Sequence, residues 1–500
     1  MAAAGTISPI ADQQGLEQGG SSSSDFYKIF GKEQLTLAQA SNLGVRMGRV
    51  TVSSIGQADD TILISNNITD LFYLLALTNI FCKKYLVDLS AEKTKLQVYH
   101  ALEDQQYEYN PLKINGVTIP FVDQAEHVGV VRSPSGNGPA LLARMSAHQK
   151  ALAAVMHSGI ALSHRANPTY SLKVEKLYAM PVLFSGLASL VFSKDEVNLL
   201  EKHYLLTIQR LLRLHDKTPR CVVYFLAGTL PGNALLHLRQ LNLFGMICRL
   251  PNNILNNHAK DIVSTRLIFK GSWFEQITNL CEVYHLPQPL MMLNAPLSKM
   301  SLKNLVKKKV INYWEVKLRE EGSNLSSLKY FNPFFMSLSK VHPLWLTAGH
   351  SPFKVSMALI QAKMLSGRYR CGYLTRHWSN SDGTCKITPE CHRMFDDIVH
   401  ILKVCPALQR KRLELSSFTY NYALSLPHSL AEVLRTNCDP ASENFCAFLL
   451  DCSSHHQVIS LVRELGGAVL DAIFNITQNW VYSLHRERLR LLGAWRATRD

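Results

Sequence analysis

The feature that most limits the fold is a change of hydrophobic period close to Pro139. Upstream, apolar residues alternate over 50–64 and again over 114–131, the two-residue period of half-buried strands. Between these stretches Ile68, Leu71, Phe72 and Leu75 recur at helix spacing, with Asn67 or Thr69 placed to cap free amides and Asp70 in the positive first turn. Downstream of the Pro-, Ser- and Gly-rich stretch 133–139 the spacing is helical almost throughout. It breaks at Asn167-Pro168, at 228–232, at Pro251-Asn252-Asn253 and at 287–289. Helix breakers crowd again over 366–406, and helical spacing resumes over 457–474 and 480–492. The expected class is α+β: a small antiparallel sheet with packed helices at the N-terminal end, followed by a mainly α-helical remainder. No fixed-period repeat is visible, which argues against solenoids and propellers.

Composition adds three limits. A chain of 500 residues, 47% hydrophobic and 18% charged, can bury a sizeable core in two to four domains. Fifty-three Lys and Arg against 38 Asp and Glu give a formal charge of +15, which favours a polyanionic partner. Eleven Cys are too sparse for a disulfide scaffold and suit a reduced compartment with a single metal site. Residues 1–24 hold no basic region followed by an apolar run, so the expectation is an intracellular protein, nuclear or cytoplasmic, and not a secreted one. The longest uncharged stretch, 177–193, is bounded by Lys176 and Lys194 and interrupted by Pro181. At 17 residues it falls short of the roughly 20 a membrane helix needs and reads as a buried helix.

Two strings carry candidate chemistry. Val50, Val52 and Ile55 lead into Gly56-Gln57-Ala58-Asp59-Asp60, and Thr61-Ile62-Leu63-Ile64-Ser65 leads away, the pattern of two short strands around a turn with adjacent carboxylates. Carboxylate oxygens suit Mg2+, although most Asp pairs at turns are only solvated. Farther on, Cys385, Cys391, His400 and Cys405 are separated by gaps of five, eight and four residues, with Pro406 following. Zn2+ takes four tetrahedral thiolate or imidazole ligands, and two ligand pairs joined by a turn and a helix can supply them. The first gap is wide, and Cys371, His377 and His392 are competing donors nearby.

Basic residues gather in two places. Lys303, Lys307, Lys308, Lys309, Lys317 and Arg319 lie on a helix whose Leu305, Val306, Val310 and Trp314 form the buried side. Arg368, Arg370 and Arg376, then Lys403, Arg410, Lys411 and Arg412, flank the Cys/His string. These are phosphate-contact candidates, with a solvated helix face as the alternative for 303–319. Tyr369 and Tyr373 could stack bases or simply pack. His148, His157 and His164 are spaced nine and seven apart, too far for a close metal set. No phosphate-binding loop, nucleophile elbow or zinc-protease motif is present.

Gly56-Gln57-Ala58-Asp59-Asp60 resembles the Ala-Asp-Asp palm signature of non-LTR retrotransposon reverse transcriptases, with Gln57 where many members carry Tyr. Three further strings are similar in the family's order. Gln14-Gly15-Leu16-Glu17-Gln18-Gly19-Gly20, with Ser24-Asp25, resembles the segment supporting the templating base; Ala91-Glu92-Lys93-Thr94-Lys95-Leu96 resembles the lysine-bearing segment after the palm hairpin; Glu126-His127-Val128-Gly129-Val130 resembles the primer-grip hairpin. The run Leu365-Ser366-Gly367-Arg368-Tyr369-Arg370-Cys371-Gly372-Tyr373-Leu374, followed by the Cys/His string, resembles the family's zinc-binding region.

The resemblance implies a partial palm over 1–132, a thumb-like helical region over 140–230, a helical linker over 231–365, a Cys/His zinc-binding unit over 366–412 and a helical tail over 413–500. It implies RNA and DNA primer-template as partners, with nucleotides as the only small-molecule substrates. Contacts would come from Gln18, Gly19, Gly20, Lys95, Val128, Gly129, Arg368 and Arg370. Cys385, Cys391, His400 and Cys405 would hold a closed structural zinc, and Asp59 with Asp60 would hold Mg2+. The family's RNA-directed DNA polymerase chemistry needs three carboxylates, one from an earlier palm strand, and fingers to hold the nucleotide. Neither is expected in this chain, so it reads as a 5′-truncated, inactive reverse transcriptase that retains nucleic-acid binding. A helical protein-interaction scaffold with a vestigial palm, and a polymerase completed in trans by another chain, are the alternatives.

Overall fold

The computed structural model describes residues 22–47, 50–99, 111–157, 166–251, 260, 263, 270–376, 382–391 and 394–497. Gln18, Gly19 and Gly20, with His164, His377 and His392, lie outside the described residues. The architecture is α+β, as the change of period requires: the named strands all lie before Ser133, and helices fill the remainder. The strands form four separate antiparallel ladders, β1 (Val45–Met47) with β2 (Val50–Val52), β3 (Ser54–Gln57) with β4 (Asp60–Leu63), β5 (Lys113–Ile114) with β6 (Val117–Thr118), and β7 (Ala125–His127) with β8 (Val130–Arg132).

Helices α1 (Ser23–Ala40) and α2 (Ile68–Tyr85) pack on each other, the Phe30 ring lying 5.2 Å from those of Phe81 and Tyr85. Asn67 caps α2 by accepting the Asp70 amide at 2.8 Å, and Leu86 ends it in a left-handed conformation. Beneath α2 sits a small core of Leu112, Ile114 and Ile119, covered by Ile68, Leu71 and Leu75.

A second, far larger core runs from Val130 to Leu484. It is built from α3 (Gly138–His157), α4 (Pro168–Val174), α5 (Met180–Phe184), α6 (Lys194–Leu211), α7 (Arg220–Ala227), α8 (Gly232–Cys248), α9 (Trp273–Val283), α10 (Pro289–Asn294), α11 (Lys299–Ser323) and α12 (Pro352–Leu365). It continues through α13 (Gln409–Ala423), α14 (His428–Asn437), α15 (Phe445–Leu450), α16 (His456–Leu465) and α17 (Ala468–Ala497). The expected breaks fall where the chain has its punctuation: Asn167 caps α4 with Pro168 behind it, Gly228 ends α7 at φ +61°, and Pro289 opens α10.

Two expectations need correcting. The uncharged stretch 177–193 is not one buried helix. Pro181 has no amide to give the Leu177 carbonyl, and the chain widens into a π turn over Glu175–Ala179, where the Met180 amide reaches Glu175. Leu177 and Tyr178 are exposed, while Leu183, Leu187 and Leu190 are buried. In the tail the helix break comes earlier than the spacing indicates, at Gly466-Gly467, and α17 then runs unbroken for 30 residues. Among the described residues no single helix is long and apolar enough to cross a membrane.

Candidate metal centre and its basic surround

Cys385, Cys391, His400 and Cys405 converge from three local structures. Cys385 lies on an extended segment whose amide donates to the Met394 carbonyl at 2.9 Å, next to the antiparallel bridge between Thr384 and Phe395. Cys391 closes the 3-10 turn Pro389–Cys391, with its amide on Thr388. His400 opens a π turn, His400–Val404, in which the Cys405 amide reaches back five residues to His400 at 2.7 Å. Pro406 forces this end: the residue before a proline is pushed out of helical ψ, and Cys405 has ψ 116°. The wide turn and the abrupt stop leave the imidazole and the thiol side by side.

One donor atom from each of the four lies within 4.8 Å of the others, and all four residues are buried. Cys391 Sγ and Cys405 Sγ are 3.7 Å apart. A tetrahedral ion with zinc–sulfur bonds of about 2.3 Å sets that edge at roughly 3.8 Å. His400 Nε2 is buried with no hydrogen-bond partner among the described residues, an orphan that a metal would satisfy. The hydrogen bond shared by Cys385 and Cys405, together with burial, pushes the Cys385 thiol up to about 12, and the same bond lowers that of Cys405. The donor set, its spacing and its burial make this a cluster that can bind a metal ion. Four protein ligands would close its coordination. Cys371 is buried outside the cluster, its thiol raised by burial.

Three supporting contacts had no signal in the spacing. Thr388 Oγ1 donates to Cys391 Sγ at 3.3 Å, Arg412 donates to the Cys405 carbonyl, and Arg488 of α17 forms a buried ion pair with Asp396. Asp396 also orders the neighbouring backbone, accepting the Gly372 amide at 2.6 Å on Oδ2 and the Tyr373 amide at 3.0 Å on its carbonyl. Beside this frame Tyr373 and Phe395, 42% and 52% exposed, meet edge to face at 5.5 Å, and the Arg376 guanidinium lies 4.0 Å over the Tyr373 ring.

The other basic candidates divide. Arg370 and Arg410 are exposed; Arg412 is buried, which removes it from the phosphate-contact set, and half-buried Lys403 donates to the Ser442 carbonyl at 3.0 Å. Arg368 is half-buried, its Nε without a hydrogen-bond partner among the described residues. Tyr369 is buried against His485, its hydroxyl 2.6 Å from Nδ1, and packs instead of stacking bases.

The other sequence candidates lie in the N-terminal region. Ala58 and Asp59 form the two-residue turn between β3 and β4, closed by the Gln57–Asp60 pair, and both carboxylates are exposed. Tyr27 of α1 faces them; burial raises its phenol first, and Asp59 and Asp60 add to this. Among the described residues no third metal-ligating side chain joins the two carboxylates. Val128 and Gly129 form the turn between β7 and β8, both with positive φ, as a hairpin of matching twist demands. Lys95 is exposed, its ammonium 3.0 Å from the Glu92 carbonyl. His148 is a core residue, 2.9 Å from His203, whereas His157 is exposed. No family model and no curated protein matches the chain.

Proposed function

We propose that this chain is a relative of the non-LTR retrotransposon reverse transcriptases whose working activity is nucleic-acid binding through a unit closed by a structural zinc ion. The observation that carries the reading is the joining of the ligand cluster to an exposed aromatic and cationic surface. Cys385 pairs with Met394, the adjacent Thr384 pairs with Phe395, and Asp396 holds Gly372 and Tyr373. Zinc, when bound, supplies the cross-link that keeps this short segment folded. Tyr373 and Phe395 would then stack unpaired bases while Arg370 and Arg376 meet phosphates. Asp59 and Asp60 supply two of the three carboxylates that a two-metal polymerase centre needs, so binding without nucleotide incorporation is the expected behaviour.

The test uses the full chain purified with zinc and a labelled single-stranded RNA. Affinity should fall steeply between about 50 and 200 mM salt. Tyr373→Ala should weaken binding by on the order of 10- to 100-fold, the worth of one stacked base. A flat salt response would favour the interaction scaffold. Primer extension with Mg2+ should give no product; product that disappears with Asp59→Asn would establish a polymerase instead.

A further inference from the structure

Helix α11 carries a second basic surface on elements that the zinc unit does not use. Its buried side is a ridge with a four-residue repeat, Leu302, Val306, Val310, Trp314 and Leu318, laid against α7 and α8. Contact is close: a methyl group on Gly245 of α8 would stand 2.1 Å from Leu302 Cδ2. The helix is therefore fixed along its length.

Its other side is lysine. Between Lys299 and Trp314 the chain has Lys299, Lys303, Lys307, Lys308 and Lys309 and no Asp or Glu. All but Lys309 are exposed, and among the described residues none of the five has an ion-pair partner. Like charges four apart on a helix repel and destabilise it, and nothing on the helix offsets the 299, 303 and 307 series. A bound polyanion removes that repulsion.

We propose that this face of α11 docks the phosphate backbone of a double-helical nucleic acid. Successive lysines at 299, 303 and 307 are roughly 6 Å apart along the helix axis. Successive phosphates of one backbone strand lie about 6–7 Å apart in space, about 3.4 Å of axial rise combined with the winding of the strand, so the lysines match consecutive ones. The choice of duplex over single strand follows from what the face lacks. Its other exposed residues as far as Asn312 are Met300, Ser301, Asn304 and Asn312, none with a ring to stack a base; Trp314 is buried, and Tyr313, beyond the lysine series, sets its ring edge to face against Tyr284. The inference shares with the proposed function only the class of partner; the residues are separate.

The full chain with Lys303→Gln, Lys307→Gln and Lys308→Gln together tests it, against a short mixed-sequence duplex and a single strand of the same length. These residues are exposed, so circular dichroism should match the parent and the melting temperature should equal or exceed it, since helix repulsion is relieved. The slope of log affinity against log salt for the duplex should fall by about 2–3, and duplex affinity near 0.1 M salt by on the order of 100-fold, with single-strand affinity changed by less than about threefold. An unchanged duplex slope overturns the proposal. So does loss of binding to phosphatidylserine vesicles with the duplex unaffected, which would make α11 a membrane-facing helix. Lysine-dependent duplex binding without single-strand binding would leave this inference standing and remove the zinc-unit reading; the reverse pattern would do the opposite.

Discussion

A methyl group at position 186 would stand 2.2 Å from Val130 Cγ2, in a backbone that already holds a φ of +74°. Gly186 is thus the point at which the β7–β8 hairpin fits down onto the helical body. Gly186→Ala adds left-handed strain of about 1–2 kcal/mol to overpacking of about 1–3 kcal/mol, so urea unfolding should show a loss of roughly 2–5 kcal/mol. Val130→Ala in the same chain should recover the overpacking part and leave the strain; no recovery would place the cost elsewhere. Nothing in the sequence marks this contact, because a lone glycine reads only as a turn. The ligand cluster was legible for the opposite reason. Three thiols and an imidazole with short gaps have few other chemistries, and Cys405-Pro406 fixes the turn that joins the last two. Asp396 and Arg488, 92 positions apart, had no such local mark.

At the scale of elements, α8, the end of α9 and α11 are tied by a hydrogen-bonded relay. The Trp314 indole can only donate, and its N–H reaches the Tyr284 hydroxyl at 3.0 Å. The same hydroxyl lies 2.7 Å from His237 Nδ1, where it can donate to a neutral imidazole or accept from a protonated one. Burial, with Lys317 in support, lowers His237 to about 4. A base lowered from 6.5 in the folded state stabilises the protein fully above pH 6.5, and that contribution is lost as the pH falls toward 4. His203 and His485 are lowered to about 4 as well, chiefly by burial, so up to three protons are taken up on unfolding in this window. His237→Phe should therefore make stability less steep against pH by up to about 1.4 kcal/mol per pH unit between 6.5 and 4. A slope unchanged in denaturant titrations across that range would mean that His237 is protonated in the fold. Helix existence and type were readable from period here, but the π turns at Glu175–Ala179 and His400–Val404 came from prolines acting on neighbouring turns, which period does not report.

Across the whole molecule, the unit that carries the candidate metal ligands is not a separable knuckle. Cys385, Cys391 and Cys405 belong to the same continuous core as Trp345, Phe448 and Trp480. Helix α17 closes over it with Arg488 on Asp396, the Tyr369 hydroxyl on His485, and the Trp480 indole donating to Thr419 Oγ1 at 2.8 Å. The sequence showed the α+β division because period is local, and it suggested a compact zinc unit because the breakers are local too. That the unit shares its core with a helix some 90 positions later depends on burial between distant segments. Metal removal should therefore act at long range. A structural zinc stabilises a small site by on the order of 10 kcal/mol, and a continuous core has no boundary at which that loss would stop. Chelation of the full chain should lower the melting temperature and raise hydrogen exchange along α17 together with the ligand turns. Arg488→Met with zinc present should cost about 3–5 kcal/mol by leaving the Asp396 carboxylate buried and unpaired, and it should expose the same α17 amides. If chelation raised exchange only at 382–405 and left α17 protected, the ligand cluster would be an independent folding unit and the shared core would have no part in holding it.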